Sequence, residues 1–309
     1  MKANLKYQSL FQQYPALSMI GNTPLYSVRL FSEELPKFSL FAKAEWVNPG
    51  GSIKDRPALR IILEGILSGE LTRDKMLLDS SSGNAGISYS MIGAMMGYRV
   101  KLVMPGNVSA ERKFRIKAHG SEIFLTDPIE GYDEALRTCH RMYEENPELY
   151  FFADQYSNDN NWKAHYETTA EEIWTQTQGK ITHFVAGIGT GGTITGVGRR
   201  LKEYNPKIKI TCVIPEAFPG IEGLKPIENP EDIRPAILDE SVIDERIKIS
   251  IEEAYEYCHR LAKRGIFVGQ SSGAFIKGAH EVGQREKQGV CVTILCDIGE
   301  RYCSTPLWR

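Results

Sequence analysis

The sequence predicts an α/β protein with a mainly parallel sheet. Short β-branched or apolar runs alternate with helical patterns along the chain, which is the mark of that class. Three glycine-rich segments each fall just after a run that reads as a strand and just before one that reads as a helix. At roughly 150 residues per domain, the 309 residues suggest two lobes or one large α/β unit.

Candidate strands, in order, are Leu40–Trp46, Met76–Asp79, Arg99–Met104, Glu122–Thr126, Tyr150–Ala153, His183–Ala186, Lys209–Ile214, Ile266–Val268 and Cys291–Leu295. Helical patterns lie between them: Pro57 onward to Leu67, Ile87–Met96, and a stretch following Gly191-Gly192 that stops near Tyr204-Asn205-Pro206. A further helix starts at Ser250, an N-cap whose capping box is completed by Glu253. Its apolar residues (Ile251, Ala254, Tyr255, Cys258, Leu261, Ala262) recur at about 3.6 residues, and Gly265 ends it. Pro215–Glu240 is the least regular part and reads as a long ordered surface loop, a length that is usually functional.

Composition narrows the function classes. Hydrophobic residues make up 42% and charged residues 25%, an ordinary balance for a globular protein. The formal charge is −2, so no global positive field recruits nucleic acid or an anionic membrane. Mean hydropathy is −0.30, and no run approaches the ~20 apolar residues of a membrane span. The N-terminus lacks the apolar core of a secretory signal, so a cytoplasmic enzyme or binding protein is expected. The six cysteines (139, 212, 258, 291, 296, 303) form no C-x-x-C pair and read as reduced structural thiols. The six histidines are scattered without zinc spacing, so no metal is expected. The leaning number is glycine: 28 residues, about 9% against a usual ~7%.

Ten of those glycines fall in four segments. Ser80-Ser81-Ser82-Gly83-Asn84-Ala85-Gly86, Gly187-Ile188-Gly189-Thr190-Gly191-Gly192-Thr193 and Gly269-Gln270-Ser271-Ser272-Gly273-Ala274 are strand–turn–helix loops. Ligands of open α/β sheets bind at the carboxyl ends of strands, where such loops gather. Glycine lets the backbone approach an anion, and free N–H groups at a helix start add the positive end of the dipole. The second loop, with hydroxyls from Thr190 and Thr193, is a good phosphate cradle. It lacks the G-x-x-x-x-G-K-[ST] of nucleotide hydrolases, and no acidic residue stands where a dinucleotide ribose needs one. The fourth segment is Asn48-Pro49-Gly50-Gly51-Ser52-Ile53-Lys54-Asp55-Arg56-Pro57. Here Lys54 follows a Gly-Gly turn at a helix start, where the dipole favours the neutral amine that Schiff-base chemistry needs.

With Ile20-Gly21-Asn22-Thr23-Pro24-Leu25 before them and Gly299-Glu300-Arg301-Tyr302-Cys303-Ser304-Thr305 after, these segments resemble the fold-type II (tryptophan synthase β-like) pyridoxal-phosphate enzymes. Within that group the chain is most similar to the cysteine synthase and cystathionine β-synthase family. The resemblance covers nearly the whole chain. It implies an α/β fold of two lobes, each with a mainly parallel twisted sheet flanked by helices: a smaller one at 40–153 and a larger one at 154–309, joined by 1–39. It implies pyridoxal 5'-phosphate as cofactor, with Lys54 forming the internal aldimine. Gly189, Thr190, Gly191, Gly192 and Thr193 match the loop holding the phosphate. Asn84 matches the asparagine on the ring hydroxyl, and Ser271 the serine on the pyridine nitrogen. Ser81, Ser82, Gly83, Asn84 and Ala85 match the loop that grips the substrate α-carboxylate, assisted by Gln155. Ser81 and Ala85 stand where the family usually has threonines; the lost hydroxyl at Ala85 is worth about 0.5–1.5 kcal/mol.

The resemblance also implies a reaction, β-replacement. The Lys54 amine removes the α-proton of an O-activated L-serine, the β-substituent leaves to give an aminoacrylate, and a nucleophile adds at the β-carbon. A serine at the pyridine nitrogen cannot keep it protonated as a carboxylate would, which favours prompt loss of the leaving group. Glu216–Pro226, with Pro235 and Asp239, resembles the cysteine synthase B-like branch, as does the end of the chain soon after Thr305. The expected donors are O-acetylserine or O-phosphoserine, and the expected nucleophile is sulfide or sulfur from a carrier protein, giving L-cysteine. The alternatives are cystathionine formation from homocysteine and an amine nucleophile of the 2,3-diaminopropionate type. A homodimer is expected, with serine acetyltransferase as a partner. From other classes, an association scaffold and a Rossmann dehydrogenase are opposed by the intact Lys54, Asn84, phosphate loop and Ser271. Cys303 replaces a usual leucine and reads as a small apolar substitute.

Overall fold

The computed structural model describes residues 5–81, 83–227 and 234–309. In chain order its strands are β1 (Leu25–Ser27), β2 (Lys37–Ala44), β3 (Met76–Ser80), β4 (Arg99–Pro105), β5 (Glu122–Thr126), β6 (Tyr150–Phe152), β7 (His183–Gly187), β8 (Lys209–Pro215), β9 (Glu245–Ile249) and β10 (Gln288–Leu295). The α-helices are α1 (Gln8–Gln13), α2 (Asp55–Ser68), α3 (Asn84–Met96), α4 (Ala110–Ala118), α5 (Gly131–Glu145), α6 (Asn160–Ala164), α7 (Ala170–Gln176), α8 (Gly192–Tyr204), α9 (Ile251–Ala262) and α10 (Gln270–Glu286). This is an α/β protein with mainly parallel sheets flanked by helices.

The chain forms two compact units. The first comprises Met1–Ile20 and Asn48–Asn161, the second Gly21–Val47 and Trp162–Arg309. Residues 40–47, grouped with the smaller lobe from sequence, therefore sit in the second unit, because β2 pairs there along its whole length.

In the first unit a four-stranded sheet runs β5-β4-β3-β6, with every neighbouring pair parallel. All five residues of β3 are buried, as expected for a central strand covered on both faces. One core gathers Leu77, Leu102 and Phe151 with Leu59, Ile62, Ile87 and Ile92 from α2 and α3. A second, smaller core joins Leu78 and Val103 to Ala135 and Cys139 of α5. Helix α2 ends at Gly69, whose φ of 78° is a left-handed turn that suits glycine.

In the second unit a six-stranded sheet runs β1-β2-β10-β7-β8-β9, parallel throughout except for the antiparallel β1. Strand β10 registers on β2 from Gln288↔Lys37 to Leu295↔Ala44. The Ser250–Glu253 capping box at the start of α9 is present in both directions. That helix stops at Ala262; Gly265, at φ 83°, lies beyond it in a turn where Ile266 N donates to Leu261 O. Ile266–Val268 is not a strand of the sheet. Only Val268 pairs, in an isolated bridge to Ile298, because α10 begins two residues later. No helix among the described residues is long and apolar enough to cross a membrane.

Candidate active site

In the first unit, Lys54 is the half-buried residue at the N-cap of α2. The turn before it is fixed from two sides. The buried Asp55 carboxylate accepts from Gly50 N at 2.5 Å and from Ser88 Oγ of α3 at 2.5 Å. The Arg115 guanidinium of α4 donates to the carbonyls of Pro49 at 2.7 Å and Gly50 at 3.1 Å. A carboxylate in the first turn also faces the positive end of the helix dipole. Sequence reasoning found the lysine and missed both braces. The signal for Asp55 was there, an acid at the first helical position; that for Arg115 was not.

The loop after β3 leads directly into α3. Ser81 is buried, and its Oγ accepts from Gly83 N at 3.0 Å and Gly86 N at 2.8 Å. The hydroxyl kept at this position thus holds the loop to itself. Gly83 has φ 143°, and a Cβ there would lie 2.8 Å from Arg112 Nε. Asn84 opens α3 and is half-buried, and Ala85 is buried. Ser82 lies outside the described residues. Gln155 is buried, and its Nε2 donates to the Ser80 carbonyl at 2.7 Å, beside the loop it was expected to assist. The Tyr132 hydroxyl reaches the same carbonyl at 3.1 Å.

In the second unit, the loop after β7 runs from Gly187 to the start of α8. A Cβ on Gly189 would lie 2.5 Å from the Gly223 carbonyl oxygen, and Gly191 has φ 82° with Leu238 packed against it. The N-cap Gly191 has no side chain to cap α8, whose first N–H groups have no intrahelical partner; the first of them, on Gly192, lies 3.5 Å from Thr190 Oγ1. Thr190 is buried, and the half-buried Thr193 holds its Oγ1 3.3 Å from Nε2 of the buried His165. His165, fixed by Thr169 at 3.0 Å, was not anticipated; a scattered histidine carries no sequence signal. The described part of the long loop is ordered against this cradle, with Lys225 N donating to Ile188 O at 2.7 Å. Glu222 N in turn donates to Gln270 Oε1 at 3.1 Å.

Ser271 is the second residue of α10 and is buried. The C-terminal motif ties down this helix start. Cys296 N donates to Ser272 Oγ at 2.9 Å, Gly269 N to Asp297 O at 3.2 Å, and Tyr302 OH to the buried Asp297 carboxylate at 2.8 Å. Cys303, expected to pack as an apolar side chain, is exposed; Cys139, Cys212, Cys258 and Cys291 are buried free thiols. Burial pushes Cys212 and Cys258 up to about 12, far from a reactive thiolate. Among the described residues no cluster of metal-ligating side chains forms.

These residues fit a phosphate-bearing cofactor on structural grounds. The glycine loop is a cradle that a Cβ would fill, it leads straight into the start of α8, and a buried serine, Ser271, lies in the first turn of α10. Three comparisons bear on the fit. The family model described as pyridoxal-phosphate dependent enzyme matches residues 16–297. The chain is 49% identical to the cysteine synthase of Aquifex aeolicus over 300 residues, 94% of this chain and 91% of that protein. It is 40% identical to cysteine synthase B of Escherichia coli, covering 93% of each chain. Among solved structures it is similar to O-ureido-L-serine synthase, with a TM-score of 0.87 and 34% identity over 95% of this chain and 94% of that one.

Proposed function

The chain belongs to the family of pyridoxal-phosphate dependent enzymes, and from that premise we propose that it is a cysteine synthase. It replaces the β-substituent of an O-activated L-serine, O-acetylserine or O-phosphoserine, with sulfide to form L-cysteine. The observation that carries the reading is 49% identity to a cysteine synthase across 94% of the chain. It favours cysteine formation over cystathionine formation or an amine nucleophile.

Lys54, in the smaller lobe, would hold the cofactor covalently through Nζ. Gly189, Thr190, Gly191, Gly192 and Thr193, in the larger lobe, take its phosphate on backbone N–H groups and hydroxyls. Asn84 would bond the ring hydroxyl and Ser271 the pyridine nitrogen. When bound, pyridoxal phosphate acidifies the α-C–H of an attached amino acid and accepts electrons as the β-substituent leaves. Ser81, Ser82, Gly83, Asn84, Ala85 and Gln155 orient the substrate α-carboxylate, mostly through the backbone, since Ser81 Oγ already serves the loop. The Lys54 amine would take the α-proton as general base. Ser271 would offer the pyridine nitrogen a neutral hydroxyl in place of a charged partner.

The same reading makes the protein a cytoplasmic homodimer that takes sulfide or a carrier-bound sulfur and associates with serine acetyltransferase. The resemblance of the whole chain to the family supports these points, which light scattering and pull-down with the acetyltransferase test. For the reaction, each donor is mixed with each nucleophile (sulfide, homocysteine, an amine) and the product identified by mass. Cysteine is the expected product. Lys54→Ala should lose both the visible cofactor absorbance and turnover while keeping its circular dichroism; full β-replacement activity in that variant overturns the proposal.

A further inference from the structure

The proposed reaction leaves one edge of the larger sheet unused. Strand β1 ends the order β1-β2-β10-β7-β8-β9, and among the described residues it pairs only with β2. The antiparallel register decides which of its backbone groups are taken. Val28 N donates to Leu40 O at 2.8 Å and Ala44 N to Pro24 O at 3.0 Å, so residues 24, 26 and 28 turn their backbone toward β2. In an antiparallel pair the residues between them face away. Leu25 and Ser27 therefore present their N–H and C=O groups on the open side, where they have no hydrogen bond among the described residues.

A cavity of about 430 Å³ opens beside this edge, within the ~300–1,000 Å³ usual for ligand sites. One wall is Ser27, Val28 and Arg29; the other is Arg264 and Ile266, on either side of the turn at Gly265. All of these residues belong to the second unit. Val28 and Ile266 are buried and give the cavity an apolar floor. Arg29 and Arg264 are exposed, and neither side chain has a hydrogen bond or ion pair among the described residues. By contrast Arg199 is held by Asp239, Arg246 by Glu240 and Arg285 by Glu245. Among the described residues no acidic side chain lines the cavity. Two guanidiniums facing one cavity without a carboxylate favour an anionic occupant.

We propose that the open edge of β1 is a docking site for an extended acidic peptide segment of another protein. The segment adds a strand outside β1, and its backbone pairs with Leu25 and Ser27. Arg29 and Arg264 take its carboxylates, which a guanidinium fork suits. Successive side chains of a strand alternate in direction, so a segment alternating acidic and aliphatic residues offers carboxylates to the arginines and apolar groups to Val28 and Ile266. A simple anion can use the guanidiniums but not the outward carbonyls of Leu25 and Ser27; a peptide uses both. The three residues of β1 restrict the docked segment to a few residues, so the edge is no template for open-ended aggregation. None of these residues belongs to the proposed active site, and the docking surface is independent of the reaction assigned there.

The test is calorimetry of the holoenzyme with three probes: a short peptide alternating glutamate and valine, the same peptide with lysine for glutamate, and free glutamate. Only the first should bind, and more weakly as salt is raised. Arg29→Gln and Arg264→Gln should each weaken it about tenfold or more. Ser27→Pro removes one outward N–H at an edge, where proline is tolerated, and should weaken binding too. Ser27→Ala, which keeps that group, should not. All the variants should keep the wild-type circular dichroism and turnover. If Ser27→Pro does not fold, a peptide N-methylated along its backbone reads the same pairing and should not bind. Equal binding of free glutamate, or an N-methylated peptide or folded Ser27→Pro variant that binds normally, overturns the docked strand. Equal binding of the lysine peptide, or no binding of the glutamate peptide below about 1 mM, overturns the proposal outright. Sedimentation of the arginine variants covers a second copy as occupant: if they lose a dimer that wild type forms, the edge is an interface between copies of this chain and the peptide site is overturned.

Discussion

Gly50→Ala is the sharpest probe of how the lysine turn is held. The new Cβ would fall on Asp55 Oδ1, with Cγ at 2.6 Å and Oδ2 at 2.7 Å. Ordinary contact needs about 3.5 Å, so Oδ2 must retreat by roughly 0.8 Å. That retreat carries the Gly50 N–H bond from 2.5 Å to about 3.3 Å, past the usual limit for such bonds, and disturbs the Ser88 bond on the other oxygen. Hydrogen bonds to charged groups are worth about 1.5–3 kcal/mol each, so the pair costs about 3–6 kcal/mol out of a typical 5–15. Urea unfolding measures the loss, and cofactor absorbance should fall with it because Lys54 is four residues on. The companion variant is Asp55→Ser, which removes the obstructing carboxylate. On that background Gly50→Ala should cost much less, the coupling that a double-mutant cycle reports. An alanine variant within about 0.5 kcal/mol of wild type, or an equal cost on both backgrounds, refutes the argument.

Two further perturbations address the second unit. Gly189→Ala places a Cβ 2.5 Å from the backbone oxygen of Gly223; cofactor should dissociate faster on dialysis while urea stability changes far less, and unchanged retention argues against the cradle. Tyr302→Phe removes the donor to Asp297 at 2.8 Å, costing about 1.5–3 kcal/mol in unfolding. A loss below about 0.5 kcal/mol would deny the C-terminal motif its part in fixing the start of α10.

Most of the parallel strands were legible because a central strand announces itself as a short apolar run. Met76–Ser80 and Lys209–Pro215 are examples. The edges were not. In β9, Glu-Arg-Ile-Lys-Ile, only Ile247 and Ile249 are buried, a pattern too sparse to separate from loop. The three residues of β1 are defined by their partner β2 rather than by their own composition. Ile266–Val268 failed in the opposite direction: it has strand composition, but Gly265 and the start of α10 leave it no length to pair. At the proposed site, the strand–loop–helix setting of the glycine loops and the place of Lys54 at a helix start were readable from residue types at fixed spacing. Their braces were not. Arg115 meets Pro49 across 66 residues, a relation that no local pattern encodes.

The pairing of β2 with β10 sets the order in which this protein can be made. Lys37–Ala44 leaves the ribosome about 250 residues before its parallel neighbour Gln288–Leu295. The sheet β5-β4-β3-β6, by contrast, closes within residues 76–152 and can form while synthesis continues. Until β10 is made, β2 has only the short β1 as a partner, its apolar residues and unpaired backbone open to other chains. Non-local parallel pairing is also slow. Nascent copies stalled before residue 288 should therefore aggregate or engage chaperones through β2, even though the lysine-bearing segment they carry has already folded.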